Sequence, residues 1–204
     1  MHKIGVFGGT FDPIHYGHIH LAEQALNECR LDKLLVVPAA IQPFKPKQEM
    51  ALGDHRLHMA KIAFTTDDKI SVSDIELKKN SISYTIDTLR EIRESYDPEI
   101  EIYFILGTDA FLKIEKWKNA DELLSGYSFI VGARPGYRQD ELDEFAGRLR
   151  SVYNNSIMKI SNRQINISST EIKQAIRSGK DLSGYFPKEV ERYIISNGLY
   201  RELY

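Results

Sequence analysis

The sequence predicts an α/β protein built on a doubly wound parallel sheet, with a small helical subdomain at its C-terminal end. Three observations predict it. Short apolar runs alternate with stretches of helical period along the chain. Two of the runs, "KLLVVP" and "IYFILG", are apolar throughout, as strands covered on both faces must be. The first run ends on Gly8 and Gly9, and a helical pattern follows at once, as in a strand–crossover–strand unit.

Taken in order, strands are expected at residues 3–8, 33–38, 69–74, 100–106, 128–133 and 157–160. The clearest helix covers 18–29, where Leu21, Ala22, Ala25, Leu26 and Cys29 share a face. Asp54 can cap a second helix with Leu57, Ala60, Ala63 and Phe64 inward, and a third carries Ile86, Leu89, Ile92 and Tyr96. The last third is more helical. Ser168 opens "SSTE", a capping box with Glu171, and Gly179 closes that helix at its C′ position. Pro187 opens a final helix through Ile195, and Asn197-Gly198 ends it. The expected division is a core of residues 1–165 with a subdomain of 166–204 packed against it.

Composition narrows the class. The 204 residues suffice for one core, and 42% hydrophobic with 27% charged residues is ordinary for a globular protein. A net charge of −2 argues against a nucleic-acid polymer held by broad electrostatics but leaves room for a small anion in a local basic pocket. Cys29 is the only cysteine, which excludes an internal disulfide and fits a reducing compartment. The N-terminal residues read as a strand rather than a signal peptide, and no apolar run approaches a membrane span. The expectation is a cytoplasmic protein with no membrane partner.

The chemistry gathers in "GVFGGTFDPIHYGH", residues 5–18. Ligands of α/β sheets bind beyond the carboxyl ends of strands, and this stretch occupies that place. Gly8 and Gly9 lack a Cβ, so backbone N–H groups can approach a phosphate closely. Pro13 stiffens the turn, and Gly17 lets the backbone pass near a ligand. His18 falls in the first turn of the helix, beside exposed N–H groups and the positive end of the dipole, and His15 can face the same anion. Neither G-x-G-x-x-G nor G-x4-G-K-[ST] occurs, which disfavours a dehydrogenase and a P-loop kinase. A metal trio of His15, His18 and His20 is disfavoured because His20 points to another helix face. His55 and His58 read as surface or packing residues.

At this point "GTFDPIHYGH" resembles the T/H-x-G-H signature of the nucleotidyltransferase superfamily, which includes the class I aminoacyl-tRNA synthetases. Within it the chain resembles the bacterial nicotinate-nucleotide adenylyltransferases over nearly its full length. The resemblance implies a Rossmann-like core and adenylyl transfer from ATP to nicotinate mononucleotide. It gives deamido-NAD and pyrophosphate, with Mg2+ carried on the phosphates, in NAD biosynthesis. It implies a catalytic group of His15, His18 and Lys45, although Phe44 stands where members often have histidine. The ATP side would comprise Gly8, Gly9, Thr10, Phe11, Gly107, Asp109 and Arg134, with Ser168, Ser169, Thr170 and Lys173 on the departing pyrophosphate. Lys173 stands where arginine is usual, so a point contact replaces a bidentate one. Tyr84, Thr85 and Trp117 would recognise nicotinate, the indole stacking on the ring while helix N–H groups meet the carboxylate.

Bland readings stand beside several of these. From the residues alone, Lys45 is as readily a solvated loop lysine, Asp109 a helix cap, Thr85 a cap and Ser168–Thr170 a capping box that binds nothing. Rival functions are an adenylyl- or cytidylyltransferase for pantetheine phosphate or an alcohol phosphate, and a nucleotide-sensing module without turnover. Assembly into a homo-oligomer stays open.

Overall fold

The computed structural model describes residues 2–40, 50–65, 67–79, 82–132, 139–160, 165 and 167–201. Six strands form one sheet: β1 (Lys3–Gly9), β2 (Lys33–Pro38), β3 (Ile70–Val72), β4 (Glu101–Gly107), β5 (Ser128–Gly132) and β6 (Ile157–Ile160). Their order across the sheet is β3-β2-β1-β4-β5-β6, and all five pairings are parallel. The chain therefore winds outward from β1 in one direction and from β4 in the other, which opens a crevice at the carboxyl ends of these two central strands.

Alternation along the strands divides the core between the two faces. Phe7, Leu34, Val36, Ile105 and Ile130 face one side, against α1 (Tyr16–Glu28), α2 (Gly53–Ala63), α7 (Ser169–Arg177) and α8 (Lys188–Ser196). Val6, Val37, Phe104, Phe129 and Val131 face the other, against α3 (Thr85–Glu94), the short α4 (Thr108–Phe111), α5 (Ala120–Gly126) and α6 (Gln139–Tyr153). The two C-terminal helices share one continuous apolar cluster with the sheet through Ile172, Ala175, Val190 and Ile194.

Local chemistry sets the helix ends. Ser168 and Glu171 form the full capping box, and Gly179 at φ +64° and Gly198 at φ +62° follow the last turns of α7 and α8. Leu199 N–H donates back to Ile194 C=O, closing α8. Three expectations need correction. Asp54 does not cap α2, whose N-cap residue is Leu52; it lies inside the first turn. The strand expected at 69–74 is shorter, Ile70–Val72, because it is a sheet edge with only β2 to pair with. The buried face of α2 is turned: Arg56, Met59 and Ala60 are buried while Leu57 is only partly so. A guanidinium takes the inward position because four carbonyl oxygens await it there.

Candidate active site

A cleft of about 780 Å³ opens at the carboxyl ends of β1 and β4. Its lining brings together Gly8, Gly9, His15, Gly17, His18, Tyr84, Thr85, Gly107, Asp109 and Trp117, ten of the residues singled out in the sequence as candidates for the site. The strand crossing therefore unites segments more than a hundred residues apart.

His15 is the N-cap residue of α1 and is 3% exposed; His18 lies in its first turn, with its N–H donating to His15 C=O at 2.8 Å. The two imidazoles stack with centroids 3.7 Å apart and planes 26° apart, and the Phe11 ring meets His18 edge-on at 5.1 Å. Gly17 has a role the sequence reading missed. A Cβ there would lie 3.0 Å from both Cε1 and Nδ1 of His15, so the glycine makes room for that imidazole itself. Gly9 serves Phe11 in the same way, because a Cβ would come within 2.8 Å of its ring. Phe11, at φ +49° and 1% exposed, turns its ring into the core, and neither it nor Thr10 lines the cleft by its side chain. His20 lies on another face, stacked on Tyr16 and 3.4 Å from Glu23.

The N-terminus of α7 comes up beside this turn. The Ser169 hydroxyl donates to Pro13 C=O at 3.1 Å, and Ile167 C=O would be 3.9 Å from a Cβ on Gly17. Ser168 is engaged with Glu171 in the capping box, while Thr170 is exposed. The Lys173 ammonium is paired with the Asp12 carboxylate and lies 5.3 Å above the Tyr200 ring. Lys45 and Arg134 fall outside the described residues.

At the other end of the cleft, Tyr84 caps α3 and Thr85 is its first residue. Trp117 is partly buried, edge-on to Phe104 at 6.0 Å. Asp109 lies within the first turn of α4, whose N-cap is Gly107, so the helix-cap reading of Asp109 falls away. Three lysines that the sequence reading passed over, Lys113, Lys116 and Lys118, also line the cleft. Lys118 sits 4.3 Å over the Tyr84 ring and 2.9 Å from Asp87. The signal was their spacing around the tryptophan in "LKIEKWKN". Lys113 and Lys116 thus bring positive charge to the cleft, whose lining also holds Glu76 and Asp109.

Arg56 was also missed. Its side chain, 2% exposed, donates to Thr10 C=O at 2.8 Å, Ala39 C=O at 2.6 Å, Ala51 C=O at 3.0 Å and Ala40 C=O at 3.3 Å. Burial lowers its pKa, an effect that Asp12, Tyr200 and Glu76 oppose. Asp12, 4% exposed, accepts from Ala51 N–H at 3.0 Å and from the Tyr200 hydroxyl at 2.8 Å. Burial, with Asp12 adding to it, pushes the Tyr200 phenol far above its ordinary range, so it stays a donor. His55 and His58 pack on Tyr193 of α8: His55 Nδ1 is 2.9 Å from its hydroxyl and His58 stacks on its ring at 4.4 Å.

Known proteins match both the sequence and the shape. A family model described as cytidylyltransferase-like matches residues 6–175. A "probable nicotinate-nucleotide adenylyltransferase" of Thermoanaerobacter sp. (strain X514) is 40% identical over 200 residues, covering 98% of this chain and 95% of the relative. One of the same description from Clostridium tetani (strain Massachusetts / E88) is 37% identical, covering 98% of this chain and 100% of its own. Among solved structures, a Plasmodium falciparum nicotinic acid mononucleotide adenylyltransferase complexed with NaAD superposes with a TM-score of 0.82 over 98% of both chains. At 24% identity, that likeness speaks for the fold.

Proposed function

The chain belongs to the cytidylyltransferase-like family, with the nicotinate-nucleotide adenylyltransferases, and we propose how its cleft moves an adenylyl group from ATP to nicotinate mononucleotide. The products are deamido-NAD and pyrophosphate. One observation carries the reading: the stacked His15–His18 pair at the β1 turn and the Tyr84–Thr85–Trp117 group share a single cleft. A molecule with a phosphate at one end and an acidic aromatic ring at the other would engage both groups.

The reaction is an in-line displacement. An oxygen of the mononucleotide 5′-phosphate bonds to the α-phosphorus of ATP, the bond from that phosphorus to the β-phosphate bridging oxygen breaks, and pyrophosphate leaves. No side chain need act as nucleophile, so catalysis is positioning and stabilisation of developing negative charge. His15 and His18 donate to the phosphoryl oxygens, together with Lys45 and the backbone of Gly8–Phe11. Gly107, Asp109 and Arg134 hold the nucleoside of ATP. Ser168, Ser169 and Thr170, at the N-terminus of α7, receive the departing pyrophosphate. Thr85 and the N–H groups of the first turn of α3 meet the nicotinate carboxylate, with the Trp117 indole against the ring and Lys113 and Lys116 supplying positive charge. In this scheme residues 1–165 carry the reacting groups, and 166–204 add the pyrophosphate end. Magnesium enters as part of ATP; among the described residues no cluster of three or more His, Cys, Asp or Glu side chains is placed to hold a cation.

No helix among the described residues is long and apolar enough to cross a membrane. With a net charge of −2, the partners are ATP and the mononucleotide rather than a nucleic-acid polymer, and the setting is the cytoplasm. The test is pyrophosphate release from ATP plus nicotinate mononucleotide. His18→Ala is expected to lower turnover by about 10²–10³ at saturating ATP, as loss of one preorganised donor does. Near-normal turnover in that variant would remove His18 from the chemistry. Transfer to pantetheine phosphate, or CTP preferred to ATP, would point to the sister activities instead.

A further inference from the structure

The pairing of Lys173 gives it a different task from the one its sequence position suggests. Asp12 is 4% exposed and three residues before His15. Both its carboxylate oxygens are engaged: Oδ1 accepts from Ala51 N–H at 3.0 Å and from Tyr200 Oη at 2.8 Å, and Oδ2 is paired with the Lys173 ammonium. The Lys173 side chain is itself only 16% exposed and is held over the Tyr200 ring. The next residue, Pro13, is tied to the same helix, because its carbonyl accepts from the Ser169 hydroxyl at 3.1 Å. Two adjacent residues of the turn that carries His15 are thus fastened to α7, and Tyr200, beyond α8, completes the clasp.

We infer that Lys173 is a positioning residue: with Tyr200 it fixes Asp12, and through Asp12 the turn that aims His15, rather than contacting a phosphate of ATP. The inference rests on the reading that His15 and His18 face the reacting phosphates. A buried carboxylate that loses its ion-pair partner is left under-compensated, with only the more distant field of Arg56, and the turn that carries it is no longer pinned to α7 at Oδ2. Misplacement of a catalytic donor by about 1 Å costs up to about 10² in rate, without weakening the grip on the rest of the nucleotide.

The experiment is steady-state kinetics of the full chain with ATP and nicotinate mononucleotide for Lys173→Met, Asp12→Asn, Tyr200→Phe and the double variant Asp12→Asn/Lys173→Met. Lys173→Met is expected to lower kcat by about tenfold or more while the KM for ATP stays within about twofold. Asp12→Asn should lower kcat comparably, and Tyr200→Phe less. The double variant, which removes both charges together, should recover most of the Lys173→Met loss. A lysine that bound phosphate would behave otherwise: Lys173→Met would raise the KM for ATP, Asp12→Asn would free the ammonium and leave kcat at the wild-type level, and the double variant would show no rescue. That pattern overturns the inference. Should Lys173→Met fail to fold, Asp12→Asn decides alone, since wild-type kcat there refutes the positioning role. A wild-type chain inert toward this substrate pair would remove the proposed function and this inference with it, whereas an active wild type with the opposite variant pattern removes only the inference.

Discussion

Replacing Arg56 by alanine tests whether the buried guanidinium under the β1 turn holds that end of the fold together. Two of its four acceptors, Thr10 C=O and Ala39 C=O, are bonded in fully buried surroundings, and the other two, on Ala40 and Ala51, lie nearer solvent. Each buried carbonyl left without a donor costs about 1–3 kcal/mol, so the pair amounts to about 2–6 kcal/mol. The space vacated by the side chain adds to this, while release of a desolvated charge, the cause of the lowered pKa, subtracts. A net loss of about 3–5 kcal/mol follows, as for breaking other buried ionic arrangements. Against a total stability of about 5–15 kcal/mol, this leaves the variant marginal, with Tm lowered by about 10 °C for a chain of this length. The assay is equilibrium denaturation of wild type, Arg56→Ala and Arg56→Lys. Lysine keeps the charge but cannot reach four diverging acceptors, so it should recover roughly half of the loss. A loss below about 1 kcal/mol in Arg56→Ala, at unchanged m value, would refute the reasoning.

Three further outcomes are expected. Gly17→Ala should lose turnover, because its Cβ crowds the His15 ring; a rate measurement, with a melt to show that the variant folds, checks this, and unchanged turnover would refute it. Tyr200 has its pKa raised in the folded chain, so the stability it contributes is complete below pH about 10 and falls as pH rises beyond that, when the unfolded phenol alone ionises. Wild type should therefore lose stability more steeply than Tyr200→Phe above pH about 10, by about 1.4 kcal/mol per pH unit, in denaturation curves collected across that range. Neutralising Lys113 and Lys116 with glutamine should raise the KM for nicotinate mononucleotide about two- to fivefold and leave nicotinamide mononucleotide nearly unaffected, with the difference fading in high salt.

The fold was legible in the sequence because it depends on periodicity. Apolar runs gave all six strands, and the capping box at Ser168 and the glycines at 179 and 198 located the ends of α7 and α8 to within a residue. That His15 and His18 lie together could also be read, since only two residues separate them, although their stacking could not. What escaped were partnerships between distant segments. Arg56 sits in a helical pattern where an arginine ordinarily faces water, and its acceptors are backbone carbonyls, which every residue has and no motif marks. The pairing of Asp12 with residues 161 and 188 positions later leaves no local signature either. Gly17 does line the cleft, as its sequence reading requires, but its second task, leaving space for a side chain two residues back, is visible only once α1 begins at Tyr16.

The buried arginine also bears on the proposed role of this turn in holding an anion. The strands β1 and β2 end side by side, and carbonyl oxygens that faced the cleft there would repel a phosphate. Arg56 engages Thr10 C=O and Ala39 C=O from α2, on one face of the sheet. A trans peptide points its C=O and the following N–H in opposite directions, so each carbonyl drawn toward the guanidinium turns the next N–H away from it. At β2 the consequence is visible: Ala40 N–H donates to the hydroxyl of Ser83, which lines the cleft, at 3.1 Å. At β1 the same constraint turns the N–H of Phe11 away from the guanidinium, although its ring is buried beside His18. The ionic cluster beneath the turn thus does what apolar packing of equal stability could not, because apolar side chains fill space without fixing the direction of a peptide dipole.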